Sequence, residues 1–231
     1  MKTKRVLFDS GMVLMSPKSG NWTYPKGYFD YCSEKKLPCF TDQQLINEKV
    51  AYEYINKIRI VTSVEQEFKI FKFFFGYIFK DIEIKSTNEF IERIAWEMVY
   101  NYSNYNLYDD VLHNLNRLNT KYSLGIISNA FPSLRKNYEA KKISEFFDPI
   151  IISSELGMKK NDVGIFIETL KVLNHQPGEC IFVDDSIENC RNAKKVGMNS
   201  VIMDRDFANK DIKEFPVVSN LDELFELIEI F

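Results

Sequence analysis

Five short apolar runs, "RVLF" (5–8), "SLGIIS" (123–128), "PIIIS" (149–153), "CIFVD" (180–184) and "SVIMD" (200–204), restrict the fold of this chain more than any other feature. They are rich in Ile and Val and lack the in/out alternation of a half-exposed strand, so they read as strands buried on both faces. Helical patterns fill the gaps between the later runs. "DDVLHNLNRL" places Val111, Leu112, Leu115 and Leu118 on one face, and "DVGIFIETLKVL" does the same with Ile165, Phe166, Leu170 and Leu173. "SIENCRNAKKVG" opens on Ser186 and closes on Gly197, suited to an N-cap and a C′ position. Strands alternating with helices predict a parallel sheet covered on both sides, an α/β class of Rossmann-like architecture.

The interval from 17 to 105 breaks this rhythm. It holds no comparable strand but three capping-box patterns, "TDQQ" at Thr41, "SVEQ" at Ser63 and "STNE" at Ser86. Behind them run Leu45, Val50, Ile55 and Ile58, then Phe68, Phe71, Phe75 and Ile78, then Phe90, Ile91, Ile94 and Met98. "PKGYFDYCSEKKL" supplies a fourth helix. The expected organisation is a core domain of residues 1–16 and 106–231, with a helical cap of residues 17–105 inserted after the first strand.

Composition narrows the class. The formal net charge of −3 argues against general attraction to nucleic acid. Four cysteines show no CxxC pair, and with two histidines in the chain a His-rich metal site is excluded; reduced, mostly buried thiols are expected. Asp9 interrupts the N-terminal apolar stretch, which argues against a signal peptide, and no apolar run is long enough to span a bilayer. The expectation is a cytoplasmic protein without membrane or nucleic-acid partners, monomeric or homodimeric.

In an open α/β sheet, ligands bind outside the carboxyl ends of the strands. The polar residues there are Asp9 after the first run, Ser128 and Asn129 at the end of the second, and Asp184, Asp185 and Ser186 at the end of the fourth; Lys160 lies between the third and fourth runs. Each fragment alone has a plain structural explanation, as a turn, a helix cap or a surface lysine. Together they form a kit suited to phosphoryl transfer: a carboxylate nucleophile, a hydroxyl, an ammonium and paired acids that suit Mg²⁺.

In that order, "VLFDSGMVL", "GIISN", Lys160 in "SSELGMKKNDVGIF" and "IFVDDSIENCRNAKKVGM" resemble the four motifs of the haloacid dehalogenase superfamily. The long insertion is similar to the helical cap of its C1 subclass. The resemblance implies Asp9 as nucleophile and Mg²⁺ ligand, the Gly11 carbonyl as a second ligand, and Asp184 and Asp185 as the rest of the metal site. It implies Ser128 and Lys160 as phosphate-binding groups and Asn129 as a substrate-binding candidate, with Asn129 and Asn189 shaping the loops. The substrate implied is a small phosphorylated metabolite, such as a sugar phosphate or a nucleotide, cleaved through an aspartyl-phosphate.

Two departures stand out. The usual phosphatase member carries a second aspartate two residues after the nucleophile, where this chain has Gly11; Asn161 replaces a proline that commonly follows the lysine. Loss of a positioned acid/base is worth about 10²–10⁴ in rate, so Asp30 and Glu34 enter as conceivable cap donors. Two alternatives follow: a metal-independent dehalogenase, which has no need of the Asp184/Asp185 pair, and a catalytically weak binding protein. For substrate contact the candidates are Lys18, Trp22, Tyr24 and Lys26 in "KSGNWTYPK", where stacking and positive charge coincide.

Overall fold

A computed structural model describes residues 3–80, 88–207 and 212–229. The strands are β1 (Arg5–Phe8), β2 (Met15–Pro17), β3 (Tyr105–Leu107), β4 (Ser123–Ser128), β5 (Phe147–Ile152), β6 (Cys180–Asp184), β7 (Asn199–Met203) and β8 (Val217–Val218). The first four helices are α1 (Lys26–Lys35), α2 (Asp42–Lys57), α3 (Val64–Ile78) and α4 (Asn88–Tyr100). After β3 come α5 (Val111–Asn119), α6 (Ser133–Ala140), α7 (Ser153–Leu156), α8 (Gly164–Leu173), α9 (Ile187–Lys195) and α10 (Leu221–Ile228). Among the described residues, no helix is long and apolar enough to cross a membrane.

Six strands form one parallel sheet in the order β5-β4-β1-β6-β7-β8. The five apolar runs are its first five strands; the short β8 escapes the sequence reading because two residues carry no period. Alternate residues go to opposite faces. Val6, Phe8, Ile126 and Val183 pack on one side with Leu115 of α5 and Leu224 of α10. Leu7, Ile127, Phe182 and Ile202 pack on the other with Phe166 of α8 and Ala193 of α9. Both faces are covered, which is why the strands read as unbroken apolar runs.

Strand order reverses about β1, which lies between β4 and β6. Phe8 is level with Ile126 on one side and Val183 on the other. The residues just beyond, Asp9, Ser128 and Asp184, therefore emerge together at the switch point, the usual ligand crevice of such sheets.

The helical segment leaves and re-enters through an antiparallel ribbon, Met15–Pro17 paired with Tyr105–Leu107, which the sequence reading did not foresee. Its four helices share a separate core, centred on Tyr24, Tyr28, Phe75, Phe79, Phe90 and Ile94. Thr41 and Ser63 cap α2 and α3 as expected, their hydroxyls accepting from the N–H groups of Gln44 and Gln66. The side chain of Gln66 returns to the N–H of Thr62, one residue earlier than a standard box. The expected box at Ser86 lies outside the described residues.

Two expected faces need correction. On α2, Leu45 and Val50 are exposed, and the buried residues are Gln44, Asn47 and Ala51. The face is polar because it must satisfy its neighbours. Gln44 donates to the Tyr28 hydroxyl at 2.9 Å, and Asn47 donates to the carbonyls of Ile78 and Lys80 at 3.2 and 2.8 Å, closing the end of α3. On α5, Leu112 is exposed and Asn114 takes its inward place, donating to the Asp110 carbonyl at 3.0 Å. Elsewhere, α9 begins at the Ser186 cap and ends before Gly197, whose φ of +91° suits glycine. All four cysteines are unpaired.

Candidate active site

Lys160 organises the carboxyl edge of the sheet. Its ammonium, 2% exposed, lies 2.6 Å from Oδ1 of Asp9 and 2.7 Å from Oδ2 of Asp184. Backbone anchors hold the loop that carries it: the Lys160 N–H donates to Oδ1 of Asn129 at 2.9 Å, and Asn192 donates to its carbonyl at 3.1 Å. Asn129 thus ties the loop after β4 to the Lys160 loop. Asn161 is exposed and has no part in these anchors.

Asp9 continues the register of β1, its N–H donating to the Val183 carbonyl at 2.8 Å. Ser128 donates to the same Oδ1 of Asp9 at 3.0 Å. The next residue, Ser10, accepts from the hydroxyl of buried Tyr138 at 2.8 Å. The Ser10 carbonyl then receives the N–H groups of Leu14 and Met15, so the chain turns tightly over the strand end with Met12 at φ +56°. That turn fixes Gly11 at the mouth of the site.

Asp184 is fully buried. Its Oδ1 accepts from the Ser186 N–H at 2.8 Å and from Asn189 Nδ2 at 3.1 Å. Asn189 is therefore an orienting residue for this carboxylate. Carboxylate oxygens of Asp9, Asp184 and Asp185 all lie within 4.8 Å of one another.

The electrostatics follow from this crowding. Burial, and then the neighbouring Asp9, hold the carboxyls of Asp184 and Asp185 above the ordinary carboxylate range, with Lys160 opposing. Burial pulls the Lys160 ammonium downward, but Asp9 and Asp184 together outweigh it and hold the group above the usual lysine range. Three carboxylates against one ammonium leave two negative charges in excess when all are ionised. Hard oxygen donors with that excess fit a divalent cation such as Mg²⁺.

Above the cluster opens a cavity of about 500 Å³, lined at its floor by Asp9, Gly11, Ser128, Asn129, Lys160 and Asp185. Of the cap-side candidates, Trp22 lines it. Lys18 is exposed and is not among the cavity-lining residues. Tyr24 is buried in the helical core and bonds Glu48 at 2.6 Å, while Lys26 pairs with Asp30 and Glu34 with Lys35 at the surface. Neither Asp30 nor Glu34 reaches the cavity as a proton donor.

The wall also contains residues missed in the sequence: Tyr52, Glu67, Phe71, Met98, Tyr105 and Phe131. Glu67 is the most unusual. It is 2% exposed, and its two oxygens accept from the N–H and hydroxyl of Ser133, the first residue of α6, at 2.8 and 2.6 Å. Burial pushes its carboxyl up to about 7, against those two hydrogen bonds. A signal was available: residue 67 falls on the same helical stripe as Phe71, Phe74, Phe75 and Ile78, and an acid on an apolar stripe calls for a partner.

Comparison with known proteins adds the lineage. A family model described as haloacid dehalogenase-like hydrolase matches residues 44–203. Glyceraldehyde 3-phosphate phosphatase from Methanothermobacter thermautotrophicus is 27% identical over 118 residues, 46% of this chain and 51% of that protein. The phosphatase of the same name from Pyrococcus furiosus is 31% identical over 118 residues, 47% and 48% of the two chains. The chain thus spans about half the length of these curated relatives. A 2-haloacid dehalogenase from Pseudomonas syringae superposes with a TM-score of 0.69 at 16% identity, covering 99% of both chains. An HAD phosphatase from Thermococcus onnurineus gives 0.64 at 22% identity, covering 99% of this chain and 98% of the other. The fold is common to a dehalogenase and a phosphatase, so chemistry must be argued from the site.

Proposed function

The chain belongs to the haloacid dehalogenase-like hydrolases, and from that membership we propose that it hydrolyses small phosphate monoesters, with Asp9 as nucleophile and residues 17–105 as its cap. The observation that carries the reading is the cluster of three carboxylates at the strand ends, two of them paired with one buried ammonium. A dehalogenase has no use for a metal-binding acid pair; Asp184 and Asp185 favour the phosphatase. The relatives named as phosphatases support the same choice.

Asp9, Asp184 and Asp185, with the Gly11 carbonyl, would hold Mg²⁺, which when bound neutralises charge on the phosphate and between the carboxylates. Lys160 and Ser128, both in contact with Asp9, hold the phosphoryl oxygens beside it. An oxygen of the Asp9 carboxylate forms a bond to phosphorus as the ester O–P bond breaks, and the leaving oxygen departs with the electron pair. Gly11 offers no proton, so water in the cavity supplies it. The hydroxide formed is consumed when it attacks phosphorus in the second step, which releases phosphate and restores the Asp9 carboxylate.

The test is phosphate release from a panel of small esters with Mg²⁺, run beside Asp9→Asn. The variant should fold as wild type and lose at least ~10⁴ of the rate, and a chelator should abolish wild-type turnover. Halide release that a chelator leaves intact would establish the dehalogenase instead. Binding of Mg²⁺ and phosphate without turnover of any ester would mark a binding protein.

A further inference from the structure

Where the common phosphatase pattern has an acid, this cavity has an aromatic ring. A Cβ built on Gly11 would lie 3.0 Å from Cη2 and 3.3 Å from Cζ2 of Trp22, so the indole edge occupies the space into which a longer side chain at residue 11 would grow. The ring leans on Tyr105, centroids 5.9 Å apart. Its loop is stiffened by Asn21, whose Oδ1 accepts from the N–H groups of Thr23 and Tyr24 at 2.8 and 2.9 Å. Phe71, Met98 and Phe131 extend the apolar wall.

Two polar groups on that wall are already engaged, while the buried Oδ1 of Asn137, a third lining residue, has no hydrogen-bond partner among the described residues. Both oxygens of Glu67 accept from Ser133, and the Tyr52 hydroxyl bonds Thr23 Oγ1 at 2.7 Å. Among the described residues lining the cavity, Lys160 is the only cation, and it sits at the floor between Asp9 and Asp184. A sugar or nucleoside placed here would give up water at several hydroxyls and, Asn137 Oδ1 aside, meet mostly carbon on that wall in return.

We propose that the leaving group this cavity accepts is apolar: a phosphate monoester of an aryl or hydrocarbon alcohol, seated against Trp22, rather than a sugar phosphate or a nucleotide. This rests on the phosphatase reading and narrows its substrate class. Apolar carbon placed on the indole and Phe71 leaves water for a carbon surface. The Gly11–Trp22 pair thus exchanges a proton donor for a surface that selects the ester by its hydrocarbon part.

The experiment compares benzyl phosphate with ribose 5-phosphate, both esters of primary alcohols and of similar size, in wild type and Trp22→Ala with Mg²⁺. Wild type should favour benzyl phosphate in kcat/KM by at least about tenfold, and the ratio should collapse to about twofold in Trp22→Ala, with Trp22→Phe in between. Calorimetry with benzylphosphonate, which is not hydrolysed, should show binding weakened by a similar factor in Trp22→Ala. Turnover of ribose 5-phosphate equal to or above benzyl phosphate overturns this inference and leaves the phosphatase reading standing. So does an equal loss on both esters in Trp22→Ala, the mark of a structural role. If no ester is turned over, the phosphatase reading fails and the phosphonate decides alone: binding that depends on Trp22 supports the apolar seat, and binding indifferent to it overturns the proposal.

Discussion

Two buried acids, one at each level of this molecule, are kept in different ways. Asp184, at the sheet edge, faces an ammonium at 2.7 Å and receives an N–H and a side-chain amide. Glu67, in the helical layer, accepts from the N–H and hydroxyl of Ser133. The edge is built to hold charge, because Lys160 compensates Asp9 and Asp184 inside the protein. Burial holds both carboxyls above the ordinary range; at Asp184 the Lys160 ammonium opposes it, whereas at Glu67, among the described residues, the opposition comes from the two Ser133 hydrogen bonds. One region is arranged around ions; the other tolerates a titratable group at the seam between α3 and α6.

The largest effect should come from removing the compensation. Lys160→Met strands two buried carboxylates and should cost about 3–5 kcal/mol in denaturant unfolding with chelator present. Adding Asp184→Asn to that variant should recover part of the loss. A cost below about 1 kcal/mol would mean that the edge does not depend on its ion pair, and the contrast with Glu67 would vanish.

Glu67 gives the next effect, with a defined sign. Its folded value of about 7 lies above the ordinary 4.5, so the folded protein binds this proton more tightly than the unfolded chain. Its contribution is therefore full below about 4.5 and is lost as pH rises toward about 7. Across that window wild type should lose up to ~1.4 kcal/mol per pH unit more than Glu67→Gln. Parallel stability curves for the two proteins would show that the seam does not hold the proton. The smallest effect belongs to local helix chemistry: Ser63→Ala, which removes the cap of α3, should cost about 1 kcal/mol in thermal unfolding. Phosphate release should be unchanged if the α3 end only supports the layer.

Legibility in the sequence follows the same division. The strands were readable because burial on both faces leaves unbroken Ile/Val runs, and the edge because its polar residues directly follow those runs. Asp9, Ser128, Lys160 and Asp184 meet in space through strand order, with Lys160 delivered by the loop that Asn129 and Asn192 anchor. In the helical layer apolar periodicity misled. Leu45 and Val50 look like a buried stripe, yet α2 turns Gln44 and Asn47 inward to meet Tyr28 and the end of α3. Hydrogen-bond needs of a neighbouring element leave no period in the helix that meets them. Glu67 stands out as an acid on an apolar stripe, but its partner and the Trp22–Gly11 contact were illegible for a related reason: the pairings span 66 and 11 residues.

The paired strands β2 and β3 carry a consequence for how such a chain changes over generations. The segment between them starts and finishes at neighbouring points, since the Lys18 N–H donates to the Asn104 carbonyl at 2.7 Å. Residues gained or lost inside that segment need not disturb the register that brings Asp9 beside Ser128 and Asp184. The layer that shapes the cavity wall can therefore drift in length and composition while the edge beneath it stays fixed, so divergence in ligand choice and conservation of chemistry are separable within one gene.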